Sequence, residues 1–121
     1  MFTIEFFETD DGKKPVADFL LMLDKKMRAK VLRNMKHLQA NGYELREPLS
    51  APLGDKIFEL RTQVGNNITR VLYFFYIGRT IVLTHGFTKK TQKTPSSEIK
   101  RAKQYRKLYI ERKEAEKDGR P

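Results

Sequence analysis

The stretch Ile57 to Thr88, IFELRTQVGNNITRVLYFFYIGRTIVLTHGFT, constrains this chain more than any other, because its runs of β-forming residues are broken twice by turn residues. Gly65-Asn66-Asn67 and Ile77-Gly78 supply positions that tolerate φ > 0, as tight hairpins require. The spacing predicts a three-stranded antiparallel meander, with strands at about 57–64, 68–76 and 79–88. A turn centred on Gly65-Asn66 sets Arg61 opposite Arg70, and a two-residue turn at Ile77-Gly78 sets Arg70 opposite His85. Side chains alternate faces with a period of two, so Glu59, Arg61, Arg70, His85, Phe87 and Lys89 share one face. In the middle strand both parities are apolar, Leu72 and Phe74 on one side and Val71, Tyr73 and Phe75 on the other, which predicts a central strand covered on both faces.

Like charges directly across a ladder destabilise it, so two arginines and a histidine in one row need an anion among them. Two readings follow. A phosphate lies between the arginines, and the row forms the rim of a cleft; or Glu59 pairs with one arginine while the other reaches solvent at the sheet end.

At 121 residues the chain has the length of one domain. Thirteen Phe and Tyr residues supply a core despite a charged fraction of 33%. The absence of cysteine removes disulfides, thiolate metal sites and cysteine nucleophiles. With only His37 and His85, no His/Asp/Glu cluster has metal-ligand spacing, and no metal or other cofactor is expected. The N-terminus lacks a basic leader, and no run approaches the roughly 18 apolar residues of a membrane span. A soluble, cytoplasmic protein with no membrane partner is the expectation.

The net charge of +10 is unevenly placed: residues 1–60 carry ten Lys/Arg and ten Asp/Glu, whereas residues 61–121 carry fifteen and five. A one-sided basic field suits a polyanion, because neutralised phosphates release counterions. Lys93, Lys100, Arg101 and Lys103 are the candidate RNA-binding residues within it.

Along the chain, Phe2 to Phe7 reads as a strand beside the meander. Pro15 opens a helix whose Val16, Phe19, Leu20 and Leu23 form an apolar stripe, and Asp24 caps a second, with Met27, Val31, Asn34 or Met35, and Leu38 inward until Gly42 ends it. This helical hairpin is expected across one face of the sheet. Residues 43–56, with Pro48, Pro52 and Gly54, read as a loop. Thr94-Pro95 reads as the N-cap and first residue of a last helix, with Ile99, Ala102, Tyr105 and Leu108 or Tyr109 inward. The domain is placed at 1–110, with residues 111–121 a charged end expected to fray.

KPVADFL, PLGDKIFELR, TRVLYFFY and above all IVLTHGFTKKTQKTPSSEI resemble the phage-associated, HigB-like branch of the RelE/ParE toxin superfamily, over about residues 2–110. The resemblance implies a RelE-like α+β fold: an N-terminal strand, a helical hairpin on a mainly antiparallel sheet containing the meander, and a C-terminal helix. It also implies the toxin of a toxin-antitoxin pair, neutralised by a helix-turn-helix, HigA-like antitoxin. For the RelE and HigB branches it further implies a ribosome-dependent endoribonuclease that cleaves translated mRNA. Arg61 and Arg70 match basic positions on the family's middle strands, and Lys89 and Lys90 match the basic site after its last strand. The best-described RelE pattern has an arginine near Lys90 and a tyrosine soon after; here the next tyrosine is Tyr105.

The residues suit that chemistry. Metal-free RNA cleavage needs a base for the 2′-hydroxyl, cations for the phosphorane charge and an acid for the leaving oxygen. Arg61 and Arg70 fit the cationic role, His85 the base and Lys89 or Lys90 the acid. A structural histidine at the strand's end is the competing reading for His85. Two other activities fit the same sequence: a ParE-like toxin that inhibits a protein target such as DNA gyrase without cutting RNA, and a basic RNA-binding module without activity.

Overall fold

In a computed structural model, which describes residues 1–89 and 93–119, the elements run β1 (Thr3–Phe6), α1 (Pro15–Met22), α2 (Lys25–Asn41), a 3₁₀ turn (Gly42–Glu44), β2 (Ser50–Gly54), β3 (Ile57–Val64), β4 (Asn67–Tyr76), β5 (Thr80–Lys89) and α3 (Ser96–Lys117). The strands form one mixed sheet in the order β1-β5-β4-β3-β2, parallel only between β1 and β5. The architecture is α+β.

The helical hairpin packs where its stripes require. Pro15 opens α1, and the Asp24 carboxylate accepts the Met27 N–H at 2.8 Å at the start of α2. Val16, Leu20, Met27, Val31 and Leu38 then lie on Leu60, Val71, Tyr73 and Leu83 of one sheet face. α3 covers the opposite face, where Ala102 and Tyr109 meet Ile57, Leu72, Phe74 and Val82. β4 is therefore central and covered on both sides, as its two apolar parities predict.

Four local expectations need correction. The segment 43–56 is not all loop, because Ser50–Gly54 forms β2 on an edge, where Pro52 removes no ladder bond that the sheet needs. Asp55 and Lys56, both at positive φ, make the two-residue hairpin into β3 without the usual Asn-Gly signal. Thr94 does not cap α3; the helix starts at Ser96 after Pro95. It also continues past Glu111 to Lys117, where Arg112 ties it to the Glu8 carbonyl and the Asp10 carboxylate, both at 2.6 Å.

The fourth correction concerns register. Arg61 pairs with Arg70 as expected, across a two-residue turn with Gly65 at φ +61°. The next hairpin has a three-residue loop, since Tyr76 pairs with Thr80, and β5 carries one extra residue between Leu83 and His85. Each irregularity shifts the register by one residue. Arg70 therefore faces Phe87, and His85 sits beside Leu72. Because the two shifts sum to an even number, His85 keeps the face it was expected to share with Arg70.

Candidate active site

The anion between the two arginines is a side chain of the fold. Glu59, fully buried, accepts from Arg61 Nε through one oxygen; its other oxygen accepts from the Thr94 hydroxyl and lies 3.5 Å from Arg70 Nε. Arg70 is 1% exposed, whereas the Arg61 side chain is 31% exposed and its Nη1 lies 3.4 Å from Glu47. The row was expected at the rim of a cleft; Arg70 instead lies inside the protein, and only Arg61 emerges. Arg61 and Arg70 line a cavity of about 290 Å³ with Lys30, Asn34 and Gln63.

His85, only 2% exposed, is held on the same face by a separate set of partners. Its Nδ1 lies 3.1 Å from the Thr84 hydroxyl and its Nε2 3.1 Å from Glu98 of α3. The Thr84 hydroxyl is also 3.1 Å from the Leu72 carbonyl, and it has one proton to donate. An imidazolium would satisfy every partner at once, donating to Thr84 and to Glu98. Burial opposes that state most strongly, Arg101 adds to the opposition, and together they outweigh Glu98 and hold the His85 pKa below its ordinary value. The neutral ring that follows donates Nε2–H to Glu98, and its Nδ1 competes with the Leu72 carbonyl for the single Thr84 proton.

Around this pair, Arg101 Nε donates to the Tyr105 hydroxyl at 3.1 Å, and the Tyr105 ring meets His85 edge-on at 5.9 Å. β1 pairs only as far as Leu83, so the His85 end of β5 is a sheet edge. There a cleft of about 420 Å³ opens, lined by His85, Gly86, Arg101 and Tyr105, by Asp18, Phe19 and Met22 of α1, and by Asp11 and Lys13 of the loop before it. The cleft thus brings the His85 ring, backed by Glu98, to a guanidinium and a phenol. Among the described residues, no group of three or more His, Asp or Glu side chains is placed to hold a metal ion.

Residues 18–107 match the family model described as "Phage derived protein Gp49-like (DUF891)", which is well over half of the chain. The chain belongs to that family. No curated protein matches it. The Gp49-like match omits β1 but contains every residue of the two clusters from Glu59 to Tyr105.

Within this Gp49-like chain the expected site residues fall into separate groups. Arg61 and Arg70 share the Glu59 network, and His85 stands in the cleft beyond it. Lys89 ends β5 in register with Ile68, and Lys90 lies outside the described residues. Of the candidate RNA-binding residues, Lys93 and Lys100 are exposed, Lys103 pairs with Asp55 at 2.9 Å, and Arg101 belongs to the His85 cleft. Glu98 and Tyr105 were missed as site residues. A signal for Glu98 existed: it is the sole Asp or Glu between Glu59 and Glu111.

Proposed function

We propose that this Gp49-like protein is the toxin of a toxin-antitoxin pair and acts as a ribosome-dependent endoribonuclease on mRNA. One observation carries the reading: His85, held by Glu98 behind it, stands beside Arg101 and Tyr105 in an open cleft on a strongly basic chain. Glu98, with a side chain 22% exposed, is the more exposed member of the pair, and both His85 nitrogens already have partners. The pair acts as the base, with the Glu98 carboxylate taking the 2′-hydroxyl proton while His85 Nε2–H holds it in place. The 2′-oxygen attacks the neighbouring phosphorus, Arg101 offsets the charge on the phosphoryl oxygens, and the bond to the 5′-oxygen breaks. Tyr105, polarised by Arg101, returns a proton to that oxygen; Lys89 and Lys90 are the other candidates for this role. The products are a 2′,3′-cyclic phosphate and a 5′-hydroxyl. A helix-turn-helix antitoxin would neutralise the toxin by presenting acidic side chains to the basic face.

The test is primer extension on mRNA from translating ribosomes, comparing wild type with Glu98→Gln and Arg101→Ala. New 5′ ends with wild type, reduced roughly 100-fold or more in each variant, are expected. Growth arrest without new ends would overturn the nuclease and favour a protein target such as DNA gyrase.

A further inference from the structure

The loop that carries Glu47 to Arg61 also closes a second cavity, of about 370 Å³, outside both clusters above. Its walls are Tyr43, Phe58, Tyr73 and Phe75, and Arg46 and Glu47 also line it. The rings are fixed in place. Tyr43, although 56% exposed, packs on Phe75 at 4.2 Å and on Phe2 at 5.2 Å, and its hydroxyl donates to the Gly78 carbonyl at 3.2 Å. Gly42 makes that placement possible: its φ is +52°, and a Cβ there would stand 2.0 Å from the Phe2 ring. Phe58 stacks on Tyr73 with centroids 5.5 Å apart.

The cavity also has a polar element, the hydrogen-bonded hydroxyls of Ser50 and Tyr73. Burial raises the Tyr73 pKa, so the phenol stays protonated. Two hydroxyls sharing one bond keep a second proton and further lone pairs, and they can present either to a ligand edge. A cavity of this size lies within the ~300–1,000 Å³ range of small-ligand sites. Aromatic walls with a reversible donor and acceptor suit a flat heteroaromatic ring. Charge favours an anionic carrier for that ring: Arg46 is exposed and held by the Tyr43 carbonyl at 2.7 Å, and Arg61 reaches Glu47 at 3.4 Å, offsetting the one acid among the lining residues.

We propose that this cavity receives one base of a single-stranded RNA, with the adjoining phosphate against Arg46 and Arg61. The site rests on the RNA-cleaving reading and adds to it a pocket that selects which nucleotide is held. Tyr43 is the accessible wall on which the base stacks, and the Ser50–Tyr73 hydroxyls read its edge.

The experiment uses a short single-stranded RNA with 2-aminopurine at successive positions, full-length protein, and ring resonances of Tyr43, Phe58 and Phe75 followed by NMR. Quenching at one position, with shifts in those rings, is expected for wild type and for Tyr43→Phe. Tyr43→Ala, checked for folding by thermal unfolding, is expected to bind at least tenfold more weakly. Wild-type binding that moves no ring resonance would overturn the pocket whatever the variants do. So would ring shifts caused by an acidic peptide bearing a phenylalanine and not by RNA, which would make the cavity a protein-docking site. Cleavage of ribosomal mRNA with the same base preference in folded Tyr43→Ala would overturn the pocket and leave the nuclease standing. Ring shifts with RNA in a protein that never cleaves would leave the pocket and remove the nuclease.

Discussion

Replacing Glu59 by Gln is the most direct test of the charge network under α3. The substitution keeps the shape of the side chain and removes its charge, so packing is not disturbed. What remains is Arg70, 1% exposed, without the carboxylate 3.5 Å from its Nε. One carboxylate oxygen becomes an NH₂ group, which then faces either an arginine N–H or the Thr94 hydroxyl. Breaking a buried ion pair by removing one partner costs about 3–5 kcal/mol. The Arg61 contact adds under ~1 kcal/mol, because that side chain is 31% exposed and water screens it. For a domain whose whole stability is of order 5–15 kcal/mol, the loss should be plain. With a urea m-value of about 1.5 kcal/mol/M, a loss of 4 kcal/mol lowers the unfolding midpoint by roughly 2–3 M. Arg70→Met alone should also destabilise, but the double variant should lose much less than the sum, with a coupling above ~1 kcal/mol. A midpoint change worth under ~1 kcal/mol, or additivity of the two substitutions, would refute the buried-network reasoning.

Three further predictions follow from local geometry. Because burial and Arg101 hold the His85 pKa below its unfolded value, the unfolded chain takes up the proton first as pH falls. His85 therefore weakens the fold at acid pH, and stability rises with pH up to about 6.5 and then levels, by at most ~1.4 kcal/mol per pH unit; thermal midpoints from pH 5 to 7.5 should show a steeper rise in wild type than in His85→Gln, and an equal or reversed slope would refute the assignment. Gly86→Ala places a Cβ 2.5 Å from the Phe19 ring and should cost about 1–3 kcal/mol in urea unfolding, with partial relief when Phe19→Leu is added. Asp24→Ala removes the cap on Met27 N–H and should cost about 1 kcal/mol in the same assay, without altering the Tyr43 ring environment.

Much of the fold was legible because the relevant signals are local. The β3–β4 hairpin follows from Gly65, the two helices from Pro15, Asp24 and Gly42, and the central place of β4 from its two apolar parities. What was not legible depends on the irregularities of β5. A bulge has no sequence mark of its own here, since Leu83-Thr84-His85 alternates like any strand. The His85 face nevertheless came out right, because the longer hairpin loop and the bulge each add one residue. β2 was hidden by Pro52 and by a turn whose positive-φ residues are Asp and Lys. Glu98 was hidden for another reason: its partner lies 13 residues away, and only the docking of α3 on the sheet brings the two together.

The charge distribution shows why the site residues separate as they do. Counted by halves of the chain, residues 1–60 are neutral, yet α2 alone has six Lys or Arg and no acid. In the second half, part of the positive charge is spent internally: Arg70 on Glu59, Lys103 on Asp55 and Arg112 on Asp10. Arginines that look most significant in the strand pattern are thus the ones the fold has already matched with an acid. Cations that meet solvent beside open cavities include Arg46, Arg101 and Lys30 of α2, and Arg61, which keeps a partly exposed face although it is paired with Glu59 and Glu47. A polyanion will respond to these, because a charge 1% exposed and ion-paired with a buried carboxylate has little field left to offer outside. Arg70 therefore acts on any ligand through the position it gives Glu59 and Arg61, and its replacement should lower stability before it lowers binding. A loss of RNA affinity in Arg70→Met at undiminished stability would reverse that order and return Arg70 to direct contact with phosphate.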